Sequence, residues 1–314
     1  MIGKLLSSMG TGALLALTPV AALAQEAASA QDVPGHPMPG QIGLQPSVTP
    51  IMDSITVFHD GILLWTAILI ALLVLVLLVI VAVRFNSRAN PKPSTTTHNT
   101  LVEVIWTVVP IIVLVIIAIP SFGVLTDQLT IPDGERKYLG SNIFSFGEVD
   151  VPAPALTVKA IGQQWNWDYE YVDYQGEAPE APLVFNSSML QDGEREERKP
   201  NQPRLLAVNY EMVVPVETTV RLQVTADPLG VIHAFALPSF GIKIDAVPGK
   251  LNETWFYARK PGIYYGQCSE LCGQDHAFMP IAIRVVEKEE FDLWLRTFQQ
   301  GFIDDANDTL PPVT

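Results

Sequence analysis

GILLWTAILIALLVLVLLVIVAV, residues 61–83, carries no charge. At about 1.5 Å of rise per residue it is long enough to cross the roughly 30 Å hydrocarbon core of a bilayer. A second uncharged stretch runs from Val104 to Leu125 and contains Pro110 and Pro120. Proline is tolerated in a spanning helix when neighbouring groups satisfy the freed carbonyls. Core helices of water-soluble proteins are seldom this long and this uniformly apolar. The pattern predicts two transmembrane helices, about 61–83 and 104–125, forming a hairpin within residues 51–126.

Working outward, the connecting loop 84–100 holds Arg84, Arg88 and Lys92 and no acid, whereas residues 25–60 hold Glu26, Asp32, Asp53 and Asp60 and no Lys or Arg. The excess of basic residues predicts a cytoplasmic loop with both flanks on the opposite side of the membrane. The N-terminus agrees independently. Lys4, a short apolar run and Ala22-Leu23-Ala24 have the form of a secretory signal peptide, removed as residues 1–24. Residues 25–50 are expected to be poorly ordered, as is the tail 304–314.

Beyond the hairpin the periodicity changes. Gln164-Trp165-Asn166-Trp167-Asp168-Tyr169-Glu170-Tyr171 alternates aromatic and polar residues, the mark of a strand with one buried face. Val220, Leu222 and Val224 alternate with Arg221, Gln223 and Thr225. Further runs at 155–160, 231–237, 253–258 and 279–286, separated by Pro and Gly turns, predict an all-β sandwich or small barrel. Residues 175–203, rich in Pro and Glu, are expected as a long surface loop. Residues 287–302 set Phe291, Leu295 and Phe298 on one helical face, predicting an amphipathic helix packed on the sandwich.

Charge narrows the partners. With 19 Lys+Arg against 33 Asp+Glu the formal charge is -14, which disfavours nucleic acid and favours a basic partner. Both cysteines lie in Gly266-Gln267-Cys268-Ser269-Glu270-Leu271-Cys272-Gly273-Gln274-Asp275-His276-Ala277-Phe278-Met279-Pro280, with His233 upstream at a predicted strand start. Two thiols, two imidazoles and a thioether are a soft donor set that favours copper over hard cations. A single blue-copper ion needs two His, one Cys and a weak Met, so the additional cysteine allows two ions to share bridging sulfurs. Three alternatives remain at this point: a Cys268–Cys272 disulfide in an exported domain, a Cys₂His₂ zinc site that leaves Met279 without a role, and a chance clustering of His276 and Met279 with the thiols. A membrane-anchored copper chaperone or thiol reductase is the rival class, and it calls for one anchor and an α/β thioredoxin-like domain.

YYGQCSELCGQDHAFMP, HAFALPSFGIKIDAVPG, GQQWNWDYEY and the helical hairpin together closely resemble subunit II of cytochrome c oxidase in its bacterial form, over about residues 50–300. The resemblance implies a cupredoxin-like copper A domain over 127–303, exposed to the periplasm of an inner-membrane protein. It implies a dinuclear copper centre held by His233, Cys268, Cys272, His276, Met279 and the carbonyl of Glu270, whose side chain would reach a magnesium ion shared with the catalytic subunit. Trp165 corresponds to the aromatic through which electrons enter from cytochrome c, and Trp167 is assigned to packing on the same strand face. Asp168, Asp173 and Glu177 are candidate docking acids. Glu103 corresponds to the entrance of a proton channel in the catalytic subunit, although an acid at a helix start is also favoured by the macrodipole. Gln163 stands where the family usually has His, at a position that does not bind copper. The implied partners are the haem-bearing subunit I, other oxidase subunits, cytochrome c and membrane lipid. No CxxCH haem-attachment motif occurs, so oxygen chemistry is expected in the partner subunit.

Overall fold

The computed structural model describes residues 35–92, 94–135, 137–138 and 149–312. The expected signal peptide lies outside them. Thr49 opens the first long helix: its hydroxyl accepts from the Met52 N–H, and Pro50 takes the first helical position, where a missing N–H loses no bond. Helix α1 (Pro50–Phe58) passes through a π-helical turn (His59–Leu63) into α2 (Leu64–Arg84). Asn99 caps α3 (Thr100–Leu129), which runs unbroken through Pro110 and Pro120. Nearly all the apolar side chains of α2 and α3 are exposed, a surface that water does not tolerate and lipid covers.

Both helices exceed the apolar stretches that predicted them. Hydropathy marks only the lipid-embedded turns, whereas the backbone ladder continues into polar sequence at either end. The 35 residues Pro50–Arg84 span about 52 Å, so the α1 end rises above the hydrocarbon. There α1 and the end of α3 are joined to the β domain. Thr49 Oγ1 donates to Phe240 O, Gln128 Nε2 to Gly241 O, Trp255 Nε1 to Asp127 O, and Arg259 pairs with Asp53 at 2.8 Å. Gly241 has φ +71, and a Cβ there would lie 3.0 Å from Met52 Cα, so the close seat of α1 depends on glycine.

The short strands β1 (Lys137–Tyr138) and β2 (Val149–Asp150) pair antiparallel. Two five-stranded sheets follow. One contains β3 (Leu156–Gln163), β4 (Asn166–Tyr174), β5 (Leu183–Ser187), β7 (Thr219–Ala226) and β10 (Asn252–Tyr257), in the order β10-β7-β3-β4-β5. The other contains β6 (Met212–Pro215), β8 (His233–Leu237), β9 (Ile242–Ala246), β11 (Gly262–Cys268) and β12 (Pro280–Val286), in the order β6-β12-β11-β8-β9. The alternation that predicted β4 and β7 is their packing: Trp167, Tyr169, Tyr171, Val220, Leu222 and Val224 are buried between the sheets. Tyr171 Oη donates to Val213 O and accepts from Val213 N–H, locking one sheet to the other. The result is the cupredoxin-like sandwich expected from the resemblance, and its all-β core excludes a thioredoxin-like domain.

Three expectations need correction. The stretch 175–203 is not a plain loop. It contains β5, whose Leu183 and Phe185 are buried on alternate positions, and α4 (Asp192–Arg198). Flanking Pro and Glu hide that short alternation in sequence. Residues 35–49 run along the β domain as a strap, with Tyr265 N donating to Gly35 O, Val48 N to Ser239 O and Arg259 N to Val48 O. Part of the tail is likewise anchored. Beyond α5 (Lys288–Gln300), whose buried Phe291, Trp294, Leu295 and Phe298 include the expected face, lies α6 (Ile303–Asn307). Trp294 Nε1 donates to Asn307, Tyr210 Oη to Asp304, and Arg284 to Pro311 O.

Candidate metal centre

The end of β11, the loop after it and the start of β8 converge at one end of the sandwich. β11 delivers Cys268 beside Phe235 of β8, and His233 opens β8. The chain then turns through Glu270 and Cys272 into a 3₁₀ turn (His276–Phe278), after which Met279 leads into β12. Gly266 allows β11 and β8 to approach so closely, because a Cβ there would fall 1.9 Å from Ala236 O.

The two sulfurs occupy the middle of the cluster. Cys268 Sγ and Cys272 Sγ are 3.8 Å apart as free thiols, which removes the disulfide alternative. Each has its own imidazole: His233 Nδ1 lies 3.9 Å from Cys268 Sγ and His276 Nδ1 3.5 Å from Cys272 Sγ. Met279 Sδ lies 3.5 Å from Cys272 Sγ, and Glu270 O lies 3.3 Å from Cys268 Sγ. The ligand atoms of His233, Cys268 and Cys272 fall within 4.8 Å of one another. All six donors implied by the resemblance are thus gathered, and the carboxylate-bearing Glu270 is exposed. The presence of both Met279 and Glu270 O beside the thiols fits copper better than a closed four-ligand zinc site.

Electrostatics explain why a cation belongs there. Burial, and then the adjacent Cys268, push the Cys272 thiol up to about 12. Burial, followed by repulsion from His276, lowers the pKa of His233 and favours the neutral imidazole that can bind a metal. His233 Nε2 is buried without a hydrogen-bond partner among the described residues. A bound cation reverses the penalty on the Cys272 thiol by stabilising its thiolate form.

Around this cluster lie residues that the motif did not reveal. The His233 ring rests on Gly162, where a Cβ would lie 2.9 Å from its Cδ2. Glycine inside a strand is the sequence signal for such a close approach. Trp167 is fully buried and meets His233 edge-on at 6.0 Å, which bears out its packing role. Trp165, however, does not share the strand face as expected. It precedes β4 in a turn, half-buried, and its Nε1 donates to Cys272 O at 3.1 Å. It lines a cleft of about 440 Å³ with Phe278, Asp275, Met189, Arg204 and Leu205.

The remaining candidates are dispersed. Asp168 accepts from Gln163 and Asn186 on the outer sheet face, and Asp173 and Glu177 lie farther along β4 and its turn. Glu103 is far from the cluster in sequence, on the first turn of α3, where its carboxylate accepts from the Asn99 N–H. An acid in the first turn is also where the macrodipole favours it.

Comparison with known proteins agrees across the chain. Residues 156–286 match the family model "Cytochrome C oxidase subunit II, periplasmic domain", and residues 37–124 match its transmembrane-domain counterpart. A probable cytochrome c oxidase subunit 2 of Rickettsia bellii is 48% identical over 275 residues, covering 88% of this chain and 90% of its own. The corresponding Rickettsia conorii protein is 47% identical over 260 residues, covering 83% and 72%. The crystal structure of the periplasmic domain of the cytochrome oxidase subunit II of Bradyrhizobium japonicum is 57% identical, covering 48% of this chain and 97% of that one, at a TM-score of 0.41. With two apolar helices, a periplasmic β sandwich and relatives aligned over most of their length, the chain belongs to the cytochrome c oxidase subunit II family, as a membrane protein with a periplasmic domain.

Proposed function

We propose that this chain is the electron-entry subunit of a respiratory oxidase in a bacterial inner membrane, with its β domain and both termini on the periplasmic side. His233, Cys268, Cys272, His276, Met279 and the Glu270 carbonyl would hold two copper ions. When bound, the copper A pair supplies a one-electron relay between cytochrome c and the haem of the catalytic subunit, where oxygen becomes water. The observation that carries this function is one imidazole beside each of two free thiols 3.8 Å apart.

The chain's own residues then divide the work. Cys268 and Cys272, as thiolates, offset most of the metal charge, so a change of one electron perturbs a buried site little. The rigid sheets on either side limit movement of the ligands. Trp165 presents its half-exposed indole to the donor, and the net charge of -14 steers a basic cytochrome toward the domain. Asp168, Asp173 and Glu177 are the docking acids proposed nearest that strand. The exposed Glu270 carboxylate would bind magnesium at the boundary with the catalytic subunit, one residue thereby serving two metals through its carbonyl and its side chain. Glu103 would stand at the entrance of the catalytic subunit's proton channel.

Metal analysis and spectroscopy of the purified chain test the proposal. Two coppers per chain with intense visible absorption from thiolate-to-copper charge transfer are expected. One zinc and no colour would overturn it.

A further inference from the structure

Electron entry at Trp165 rests on the function proposed above, and the surrounding geometry shows how the indole is held. We propose that Gly273 and Gln164 are positioning residues that clamp the Trp165 indole onto the carbonyl of Cys272. The link from the indole to a metal-binding sulfur then consists of one hydrogen bond followed by the atoms of Cys272 alone.

Trp165 Nε1 donates to Cys272 O at 3.1 Å, and Gln164 Nε2 donates to the same oxygen at 3.4 Å. A carbonyl oxygen has two lone pairs, and two adjacent residues supply a donor for each. The next residue, Gly273, has φ +121, a conformation that side chains disfavour. A Cβ on Gly273 would lie 3.0 Å from Trp165 Cζ2, 3.3 Å from Nε1 and 3.4 Å from Cε2. All three atoms belong to the N–H side of the indole, so even a methyl group would lever that edge off the carbonyl. Trp167 is held by enclosure on every side. Trp165 sits in a turn beside an open cleft, half-buried against the edge of the core, where the contacts at its N–H edge add to that packing in fixing the rotamer. The role is geometric: no bond forms or breaks, no proton moves, and the electron that passes is the one given up by the donor.

The test uses Gly273→Ala and Gln164→Leu in the full chain. In the copper-free chain in detergent micelles, the Trp165 indole N–H resonance is identified by its loss in Trp165→Phe, and its hydrogen exchange is measured. Exchange in Gly273→Ala is expected to accelerate on the order of tenfold or more as the bond opens. In the assembled oxidase, reduction by cytochrome c should slow on the order of tenfold, because a misplaced relay group loses rate steeply with distance and orientation. Reduction by a small diffusible reductant and the copper content should stay unchanged. Gln164→Leu leaves the backbone intact and should show the same pattern more weakly, so it carries the test if Gly273→Ala does not fold. Wild-type indole exchange in both variants would overturn the clamp, as would equal slowing with both reductants. Failure of the entry role itself is distinct: Trp165→Phe would then be reduced by cytochrome c at the wild-type rate.

Discussion

Replacing Gly162 by alanine probes the cradle of His233 directly. The added Cβ would lie 2.9 Å from His233 Cδ2, 3.0 Å from Cγ and 3.1 Å from Cβ. Carbon atoms prefer about 3.5–4.0 Å, so the ring must retreat by roughly 0.5–1 Å. Retreat is obstructed, since the ring is fully buried, with Trp167 edge-on at 6.0 Å and Cys268 Sγ 3.9 Å from Nδ1. Overpacking of this kind costs about 1–3 kcal/mol, and relief of glycine's chain entropy in a strand returns roughly 0.5–1 kcal/mol. The expected net loss is about 1–2 kcal/mol, measured by chemical unfolding of the copper-free chain in micelles, followed by tryptophan fluorescence. In a His233→Ala background the Cγ and Cδ2 contacts vanish and the vacated ring space takes the methyl group. The same substitution should then cost less by about 1 kcal/mol, the coupling energy of a double-mutant cycle. Equal cost in both backgrounds, within about 0.5 kcal/mol, would refute the cradle.

Three further outcomes are expected. Lys199 Nζ lies 2.6 Å from Glu211 Oε1, which also accepts from Gln202 at 2.7 Å, and Glu211 is only 3% exposed. Lys199→Met removes the nearest cation and leaves that carboxylate to the Gln202 amide and Arg284, which should destabilise the chain by about 2 kcal/mol; a neutral result in the same unfolding assay would show that the cation is dispensable. Burial raises the Glu253 pKa, but hydrogen bonds from Arg221 and Gln223 outweigh it and leave the pKa below its ordinary 4.5. A lowered folded pKa gives stability that is present above pH 4.5 and lost as pH falls through the folded value. Glu253→Gln should therefore flatten the acid limb of Tm against pH, and an unchanged slope would count against the pair. With its thiol pushed up to about 12, Cys272 in the copper-free chain should alkylate slowly near neutral pH and faster as pH rises. Copper loading near neutral pH should release protons into unbuffered solution; fast alkylation and proton-neutral loading would contradict the burial effect.

Much of the fold is visible in local pattern. The uncharged stretches after Gly61 and Val104 announce lipid-covered helices because the bilayer selects for length and polarity alone. The Trp-x-Trp-x-Tyr-x-Tyr run announces β4 because a sheet with one buried face imposes a period of two. β5 escapes notice because its two buried hydrophobic residues sit among prolines and glutamates that carry the surface signal. The strap at 35–49 and the anchored tail escape for another reason. The strap is held by hydrogen bonds to Tyr265, Ser239 and Arg259, all more than 90 residues away, and the tail by Tyr210 at 94 residues together with Trp294 and Arg284 at 13 and 27.

The metal centre divides along the same line. Sequence alone determined the donor chemistry, because two thiols, an imidazole and a thioether within twelve residues are soft ligands whatever the fold. It also determined the membrane hairpin, from the length of two uncharged stretches, and the all-β class of the second domain, from a period of two. Only the tertiary structure decided that His233 meets Cys268, that each sulfur has its own imidazole, and that Trp165 leaves the strand face to bond Cys272. Those facts depend on which strands lie side by side and on where glycine permits close approach. They are distances between remote parts of the chain, which spacing along a sequence does not encode.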